Sequence, residues 1–298
     1  MSTIRLFVIK RILRRIKNNV DHTDIKFARK GFEALVSKFN SPLPGFTYTP
    51  ATIAGMKSEW VAPNGADESK VLLFFHGGGY ATGSINTHRA LVSQIAKNSG
   101  IKALIIEYRL APENKYPAPI EDAANAYQWL LQNGFSPSQI AFGGDSAGGG
   151  ISICTLLYLR DKNIPAPKCA IAISPWLDHT VSGKSFITNK DIDPMLVHEG
   201  IPYWSKQYLG DADPKSPYAS PIFHDLKNLP PIYIQVGEEE MLLDDSIRFE
   251  ELASQQGVTV ILEIYAKKFH VFNAFWRVLP KAKEANQKLG EFIKDNLR

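Results

Sequence analysis

The chain has 298 residues, of which 44% are hydrophobic, so it can bury the core of one large α/β domain. The first 20 residues hold six Lys and Arg and no acid, which leaves a formal charge of −2 (+4 less +6) for the other 278. The body of the chain is therefore not basic, which argues against nucleic acid as a partner. Cys154 and Cys169 lie in apolar runs, as buried thiols in a reducing compartment do, and we expect a cytoplasmic location. No group of Cys and His has the spacing of a zinc site, so the sequence predicts no metal.

The first 20 residues have the periodicity of an amphipathic helix. The basic residues lie mostly on one face, and the apolar residues of the other are Leu6, Ile9, Ile12, Leu13, Ile16 and Val20. The longest apolar run in this segment has four residues, and no run in the chain approaches 18, so we expect neither a secretory signal nor a membrane span. Three roles fit the pattern: a helix packed on the protein's own surface, a helix attracted weakly to an anionic membrane surface, or an Arg-rich transit peptide.

A second helical pattern follows and ends at the Pro- and Gly-rich stretch 41–45. Its apolar residues are Ile25, Phe27, Phe32, Leu35 and Phe39. We therefore divide the chain into N-terminal helices in residues 1–45 and a catalytic domain in residues 46–298.

The rest of the chain alternates between strand-like and helix-like segments. Apolar runs typical of buried strands occupy residues 71–75, 103–106, 140–144, 169–173, 231–236 and 258–265, and helical patterns occupy residues 88–98, 121–133, 151–159 and 281–297. This alternation predicts an α/β fold with a mostly parallel sheet flanked by helices. Residues 178–229 carry few strand signals, and we expect them to form helices and loops over the active-site edge of the sheet.

One serine lies between two glycines where a predicted strand meets a predicted helix. In this context the sequence Gly144-Asp145-Ser146-Ala147-Gly148 indicates a nucleophile elbow. The glycines are needed because so tight a turn leaves no room for a Cβ at either position, and the strained backbone of the serine exposes its hydroxyl. The helix N-terminus beside it suits a developing oxyanion. The motif alone is a weak signal, so its partners decide the prediction.

A glycine loop follows the first strongly buried strand run. Gly77, Gly78 and Gly79 allow close approach of a ligand to the backbone, but they match no phosphate-loop pattern, and no helix begins at once as in a dinucleotide site. We therefore predict an oxyanion hole, in which N–H groups of this loop join that of Ala147. His76 is expected to brace the loop by hydrogen bonding.

An acyl-transfer serine needs a general base. Of the seven histidines, only His270 lies both after the last predicted strand and before the terminal helix, where this architecture places the base. The histidines expected in helices or in the insertion, and mostly at the surface, are His22, His88, His179, His198 and His224.

The carboxylate that orients the base is expected in residues 237–245, which hold five acidic side chains after a predicted strand. Glu240 is the first choice because the apolar residues after it begin an inward-packing helix, and Asp244, one turn later, is the alternative. The sequence Asp193-Pro194-Met195 is similar to an acid-loop motif, but it precedes the strand that should present the acid, and we interpret it as a helix start.

Three motifs, at residues 76–79, 108–113 and 144–149, together resemble the hormone-sensitive lipase family of α/β-hydrolases, the bacterial family IV carboxylesterases. The resemblance runs from about residue 60 to the C-terminus. It implies an α/β-hydrolase fold and a cap made of the N-terminal helices and the insertion at residues 178–229. The oxyanion-hole donors that it implies are Gly78, Gly79 and Ala147.

The same resemblance bears on the other site residues. The family's Asp-Pro-Leu/Met acid motif is replaced by Glu240-Met241-Leu242, and its His-Gly-Phe motif by His270-Val271-Phe272. The resemblance also implies short- to medium-chain substrates and, as in many relatives, a homodimer through the edge strand near residues 258–265.

These observations predict a serine carboxylesterase that needs no cofactor. Ser146 attacks an ester carbonyl, His270 takes the proton, and Glu240 holds the imidazole. We expect His76, Asp145 and Asp244 to support the site, and Tyr80, Phe142 and Trp176 to line an apolar pocket. The alternatives are an amidase or deacetylase on the same residues and a non-catalytic protein that binds ligands in the same cleft.

Overall fold

The computed structural model describes residues 2–18, 23–39 and 41–298 of the chain. The strands are β1 (Phe46–Ile53), β2 (Met56–Pro63), β3 (Asp67–Phe75), β4 (Ile101–Ile106), β5 (Ile140–Asp145), β6 (Cys169–Ile173), β7 (Ile232–Gly237) and β8 (Val260–Tyr265). The helices are α1 (Ser2–Lys17), α2 (Ile25–Val36), α3 (Ile85–Ser99), α4 (Ala118–Gln132), α5 (Ala147–Asp161), α6 (Lys184–Thr188), α7 (Gly200–Leu209), α8 (Leu243–Gln255) and α9 (Pro280–Asn296). Within the described ranges, no helix is both long and apolar enough to cross a membrane.

The strands form one sheet in the order β1-β2-β4-β3-β5-β6-β7-β8. The pairs from β4 through β8 are parallel, so the carboxyl ends of β5, β7 and β8 meet at one edge. Along β3, Leu73 and Phe75 pack in the core on one face, and Leu72 and Phe74 pack in the core on the other. The sheet is therefore covered on both faces, and the predicted α/β fold is confirmed.

The β1–β2 hairpin at the sheet edge is absent from the prediction. Its strands pair antiparallel from Phe46 with Pro63 to Ile53 with Met56. β1 is rich in Thr and Tyr rather than aliphatic residues and is largely exposed or half-buried, so it lacks the apolar run of a buried strand. Pro50 lies inside β1, which is tolerated because this strand is at the edge of the sheet.

The insertion at residues 178–229 contains helices α6 and α7, a short 3-10 helix at Pro221–Phe223 and otherwise turns and loops, as expected. One of its side chains reaches the glycine loop: a Cβ on Gly79 would lie 2.5 Å from the Trp204 ring. The insertion therefore covers the edge of the sheet at which the predicted site residues lie.

The N-terminal helix α1 packs on the protein's own surface. Its half-buried Leu6, Ile9 and Leu13 lie against the cluster that contains Phe269 and Phe272. Ile12 was predicted on the same face, but 54% of it is exposed. Val20 and His22 lie outside the described residues, as does the side chain of Phe39.

Candidate active site

Ser146 lies at the turn between β5 and α5, with φ 53° and ψ −121°, a conformation that L-residues rarely adopt. A Cβ on Gly144 would lie 2.2 Å from the carbonyl oxygen of Gly148, and one on Gly148 would lie 2.0 Å from that of Phe75. Both glycines are therefore required by close backbone approach, as the sequence indicated. The turn places the serine hydroxyl at the N-terminus of α5.

His270, in the loop after β8, connects the serine to a carboxylate. Its Nε2 lies 2.8 Å from Ser146 Oγ, and its Nδ1 lies 2.9 Å from Glu240 Oε2. Glu240 is completely buried, and its other oxygen accepts hydrogen bonds from Gly237 N at 2.5 Å and Ser174 Oγ at 2.7 Å. The arrangement can remove a proton from the serine hydroxyl and stabilise the resulting imidazolium.

The other four carboxylates of residues 237–245 have partners elsewhere. Glu239 pairs with Lys10 of α1, and Glu238 accepts a hydrogen bond from the N–H of Lys267. Asp244 accepts one from Ser185 N at 3.1 Å, and the buried Asp245 binds the N–H groups of Leu177 and Asp178 at 2.8 and 2.9 Å. The geometry thus favours Glu240 over Asp244 as the partner of the histidine.

Two opposing effects act on the pKa of His270. Burial alone lowers this pKa, because it disfavours the charged imidazolium. The hydrogen bond and negative charge of Glu240, with smaller contributions from Asp193 and Asp145, raise it, and the net pKa lies above the ordinary value of 6.5. Protonation of this imidazole therefore sets in at a higher pH than for a free histidine.

The glycine loop lies against the elbow and contains two glycines with positive φ. Gly78 has φ 121° and Gly79 φ 59°, conformations that favour glycine. Across the described chain, no acceptor is found for the N–H groups of Gly78, Gly79 and Ala147. Gly77 was included in the predicted oxyanion hole, but its N–H already bonds to Asp145 Oδ1 at 3.1 Å and faces His88 Nε2 at 3.2 Å. It is therefore a brace of the loop and not a free donor.

Buried side chains hold this loop against the elbow. His76 Nδ1 lies 2.9 Å from Gly77 O, its ring stacks on Tyr108 at 4.3 Å, and Tyr108 donates a hydrogen bond to His76 O at 2.7 Å. Burial lowers the pKa of His76 to about 3, so its ring is neutral. His88 was expected at the surface, but it is buried with Nε2 3.3 Å from Asp145 Oδ2.

The chain is similar to several known proteins. A family model described as the α/β-hydrolase fold matches residues 72–274. An acetyl-hydrolase from Streptomyces hygroscopicus is 39% identical over 243 residues, which are 82% of this chain and 81% of that protein. The solved structure of EstE5, soaked with p-nitrophenyl butyrate, is 42% identical with a TM-score of 0.94 over 98% of each chain. A solved hormone-sensitive lipase from a metagenome library is 32% identical, also with a TM-score of 0.94 over 98% of each chain.

The chain belongs to the hormone-sensitive lipase family of α/β-hydrolases. The esterases and the carboxylic ester hydrolase among its relatives show that it is a carboxylic ester hydrolase.

Ser174, just after β6, is a site residue of this hydrolase that sequence reasoning missed. It is completely buried and has φ 48°. Its hydroxyl donates to Glu240 Oε1 at 2.7 Å and accepts from the N–H of Val271, next to His270, at 3.1 Å. The one available signal was its position directly after a buried strand that neighbours the elbow strand.

The prediction that Asp193 begins a helix was wrong. The next helix starts only at Gly200. Its buried carboxylate binds the N–H groups of Met195 and Leu196 at 2.8 and 3.0 Å, and that of Met241 at 3.0 Å. The side chain thus ties the insertion to the loop that carries the triad carboxylate candidate.

The predicted pocket residues separate into two groups. The ring centres of Tyr80 and Trp176 lie 5.9 Å apart beside the elbow, and the backbone N–H of Trp176 donates to Ser146 O at 3.1 Å. Phe142 was wrongly assigned to the pocket: it is completely buried in the core, with edge-to-face contacts to Phe75 and Tyr127. Its place in the middle of β5 directs it into the core and away from the strand end.

His179 was expected at the surface of the insertion but is also buried. Its ring stacks on Trp176 at 4.5 Å, and its Nδ1 lies 3.0 Å from Ser205 Oγ. Burial lowers the pKa of His179 to about 3, so the ring is a neutral member of the aromatic cluster that includes Tyr80.

Proposed function

We propose that this enzyme is a serine carboxylesterase that hydrolyses short- to medium-chain acyl esters with Ser146, His270 and Glu240 as its catalytic triad. The observation that carries the proposal is the continuous hydrogen-bonded chain from Ser146 Oγ through His270 to the buried Glu240.

The reaction follows from the roles of these groups. Ser146 Oγ attacks the ester carbonyl carbon while Nε2 of His270 accepts its proton. Glu240 accepts the hydrogen bond from Nδ1–H and stabilises the imidazolium. His270 then returns the proton to the departing alcohol, and water hydrolyses the acyl-serine by the same route. The proposed chemistry needs no cofactor.

The N–H groups of Gly78, Gly79 and Ala147 are the proposed oxyanion hole. They are supported by their position on the glycine loop and at the first residue of α5, and by the lack of an acceptor for them in the described chain. Loss of one such donor raises the barrier by ~3 kcal/mol. Asp145 and His76 support the hole indirectly, since they hold the loop that presents two of its donors.

The N-terminal helices in residues 1–45 and the insertion at residues 178–229 are proposed to form the cap. The ring of Trp204 on Gly79 and the hydrogen bond from Tyr203 Oη to Thr23 O at 2.6 Å support this, because they join the insertion to the glycine loop and to the N-terminal segment. A bulky aromatic side chain so close to the hole favours small acyl groups. The acetyl-hydrolase name of one relative and the butyrate ester soaked into another point the same way.

A cytoplasmic location is proposed from the cysteines. Cys154 and Cys169 are free and completely buried, and burial raises the pKa of the Cys169 thiol to about 12. Neither takes part in a disulfide, as is usual in a reducing compartment.

The test is a series of initial rates on p-nitrophenyl esters from acetate to palmitate. We expect the highest kcat/KM at short acyl chains and loss of turnover in Ser146→Ala. The buried Ser152→Ala, in α5 and without a hydrogen-bond partner in the described chain, is the matched control and should keep full activity. Ester turnover that survives in Ser146→Ala, or a preference for anilides over esters, would contradict the proposal.

A further inference from the structure

The outer face of α1 exposes bulky apolar side chains that the packing on the protein surface leaves uncovered. Ile4, Phe7, Val8 and Ile12 are 69%, 64%, 47% and 54% exposed. They lie on the opposite side of the helix from the half-buried Leu6, Ile9 and Leu13. The helix therefore has a second apolar face.

Cationic side chains share this face with the apolar ones. Ile4, Val8, Arg11 and Arg15 follow one another at helical spacing along a single stripe, and Arg5 and Arg14 flank it. All four arginines are exposed, and residues 2–17 contain no acid. A partner for this surface must therefore accept apolar groups and also carry negative charge.

A second copy of the chain does not meet that requirement by a twofold contact. In such a contact the same patch meets itself, so arginines would face arginines. A bilayer with anionic headgroups meets both requirements. The boundary between its headgroups and acyl chains accepts Phe and Ile side chains, and its phosphates attract arginine.

The inner side of the same helix contacts the loop that carries Glu240 and the part of the insertion that binds this loop. Lys10 pairs with Glu239, the neighbour of Glu240, at 2.5 Å. Lys17 donates to the carbonyl oxygen of Asp193 at 2.9 Å. Since a helix with its side chains is about 10 Å thick, a surface that binds the outer face lies roughly one helix diameter from these loops.

We propose that the outer face of α1, defined by Ile4, Phe7, Val8, Arg11 and Arg15, is a docking surface for an anionic lipid bilayer. The docked enzyme has its active-site loops next to the membrane and hydrolyses esters dissolved there. This last consequence rests on the proposed esterase function, whereas the docking itself does not.

The test is sedimentation of the full chain with vesicles of phosphatidylglycerol or of phosphatidylcholine, at low and high salt. We expect binding to phosphatidylglycerol only, and its loss at high salt. The double variant Phe7→Ser/Val8→Ser should weaken binding roughly tenfold or more, and Arg11→Gln about fivefold.

Two substitutions elsewhere on the surface are the matched controls. Ile187→Ser changes an apolar residue of α6 that is 58% exposed, and Lys97→Gln changes an exposed cation of α3. Both variants should bind phosphatidylglycerol vesicles as the unmodified chain does. Absence of binding to phosphatidylglycerol at low salt would overturn the proposal, as would equal losses in the controls. Conversion of a dimer to a monomer by Phe7→Ser/Val8→Ser would also overturn it, because a second copy would then cover the face.

Hydrolysis provides an independent arm. An ester dissolved in phosphatidylglycerol vesicles should be cleaved more slowly by Phe7→Ser/Val8→Ser, while a water-soluble acetate ester is cleaved at an unchanged rate. Failure of the esterase assignment would abolish both rates without affecting sedimentation, so the two proposals fail separately.

Discussion

The hydroxyl of Ser174 joins the two loops that carry Glu240 and His270. It donates to the carboxylate of one and accepts the N–H of Val271 beside the other. Its backbone has φ 48°, a costly conformation that the surrounding packing maintains. We therefore regard Ser174 as a positioning residue, which acts through the triad without reaching the substrate.

Ser174→Ala should lower kcat/KM about tenfold or more, since a hydrogen bond to a charged group contributes roughly 1.5–3 kcal/mol. Loss of the donor makes Glu240 a stronger base, which raises the pKa of His270 further and moves the acid limb of the pH–rate profile to higher pH. The control is Ser246→Ala, at a buried serine whose hydroxyl has no partner in the described chain. It should leave kcat/KM and the acid limb unchanged. An unshifted acid limb in Ser174→Ala would rule out the positioning role.

Removal of the charge of Glu240 should shift the pH–rate profile in the direction opposite to that expected for Ser174→Ala. His270 must be neutral to accept the serine proton, and its pKa is raised, so activity should fall as pH drops through a value above 6.5. Glu240→Gln removes the negative charge, so the acid limb should move to lower pH while kcat falls roughly 10³- to 10⁴-fold. Asp244→Asn should change kcat little. A greater loss in Asp244→Asn than in Glu240→Gln would move the triad acid to Asp244.

Residue-level prediction from the sequence succeeded where chain order constrains position. His270 could be chosen because one histidine lies between the last strand and the terminal helix, and the structure places it against Ser146. His88 and His179 were expected at the surface because a polar residue in a helix or an insertion usually is, and the partners that allow their burial, Asp145 and Ser205, are distant in sequence.

At the scale of elements, strand β8 is one of the two edges of the sheet, opposite β1. Ile261 and Ile264 on this strand are 45% and 47% exposed. An unpaired edge with apolar side chains is a template for pairing with another chain, and we propose that a homodimer forms through it.

Light scattering should give a mass near twice 33.2 kDa for the unmodified chain. Ile261→Lys/Ile264→Lys should give a monomer, because like charges would then face each other across the twofold axis. Ile187→Lys, on exposed α6, should remain a dimer. A monomeric unmodified chain, or a dimer that survives the double substitution, would exclude β8 as the interface.

The central strands could be predicted from the sequence because both of their faces are buried. β3, β5, β6 and β7 have continuous apolar runs and were found within a few residues of their bounds. The edge strand β8 was also found because most of its residues are apolar, whereas β1 and β2 were missed because their segments lack a continuous apolar run. The start of a helix at Asp193 was predicted from local sequence, whereas its carboxylate binds Met241 N, a long-range contact that no local pattern reveals.

For the whole molecule, the structure gathers three loops from the carboxyl ends of parallel strands at one edge and covers them with the insertion. Ser146 follows β5, Glu240 follows β7 and His270 follows β8, so the parallel order of these strands brings the three side chains together. α1 and the insertion contact these loops from outside, through Lys10 and Asp193. The sheet therefore supplies the geometry of the site, and the covering segments lie against the loops that carry it.

The central claim is that Ser146 is the nucleophile, and covalent trapping tests it most directly. The enzyme should react with a p-nitrophenyl alkylphosphonate, which releases p-nitrophenol and phosphonylates the serine, and mass spectrometry of the digested protein should then locate the adduct. We expect one adduct per chain, on the peptide that contains Ser146, with activity lost in proportion to its yield. No adduct should form in Ser146→Ala. An adduct on another residue, or full esterase activity in chains that carry the adduct on Ser146, would contradict the account.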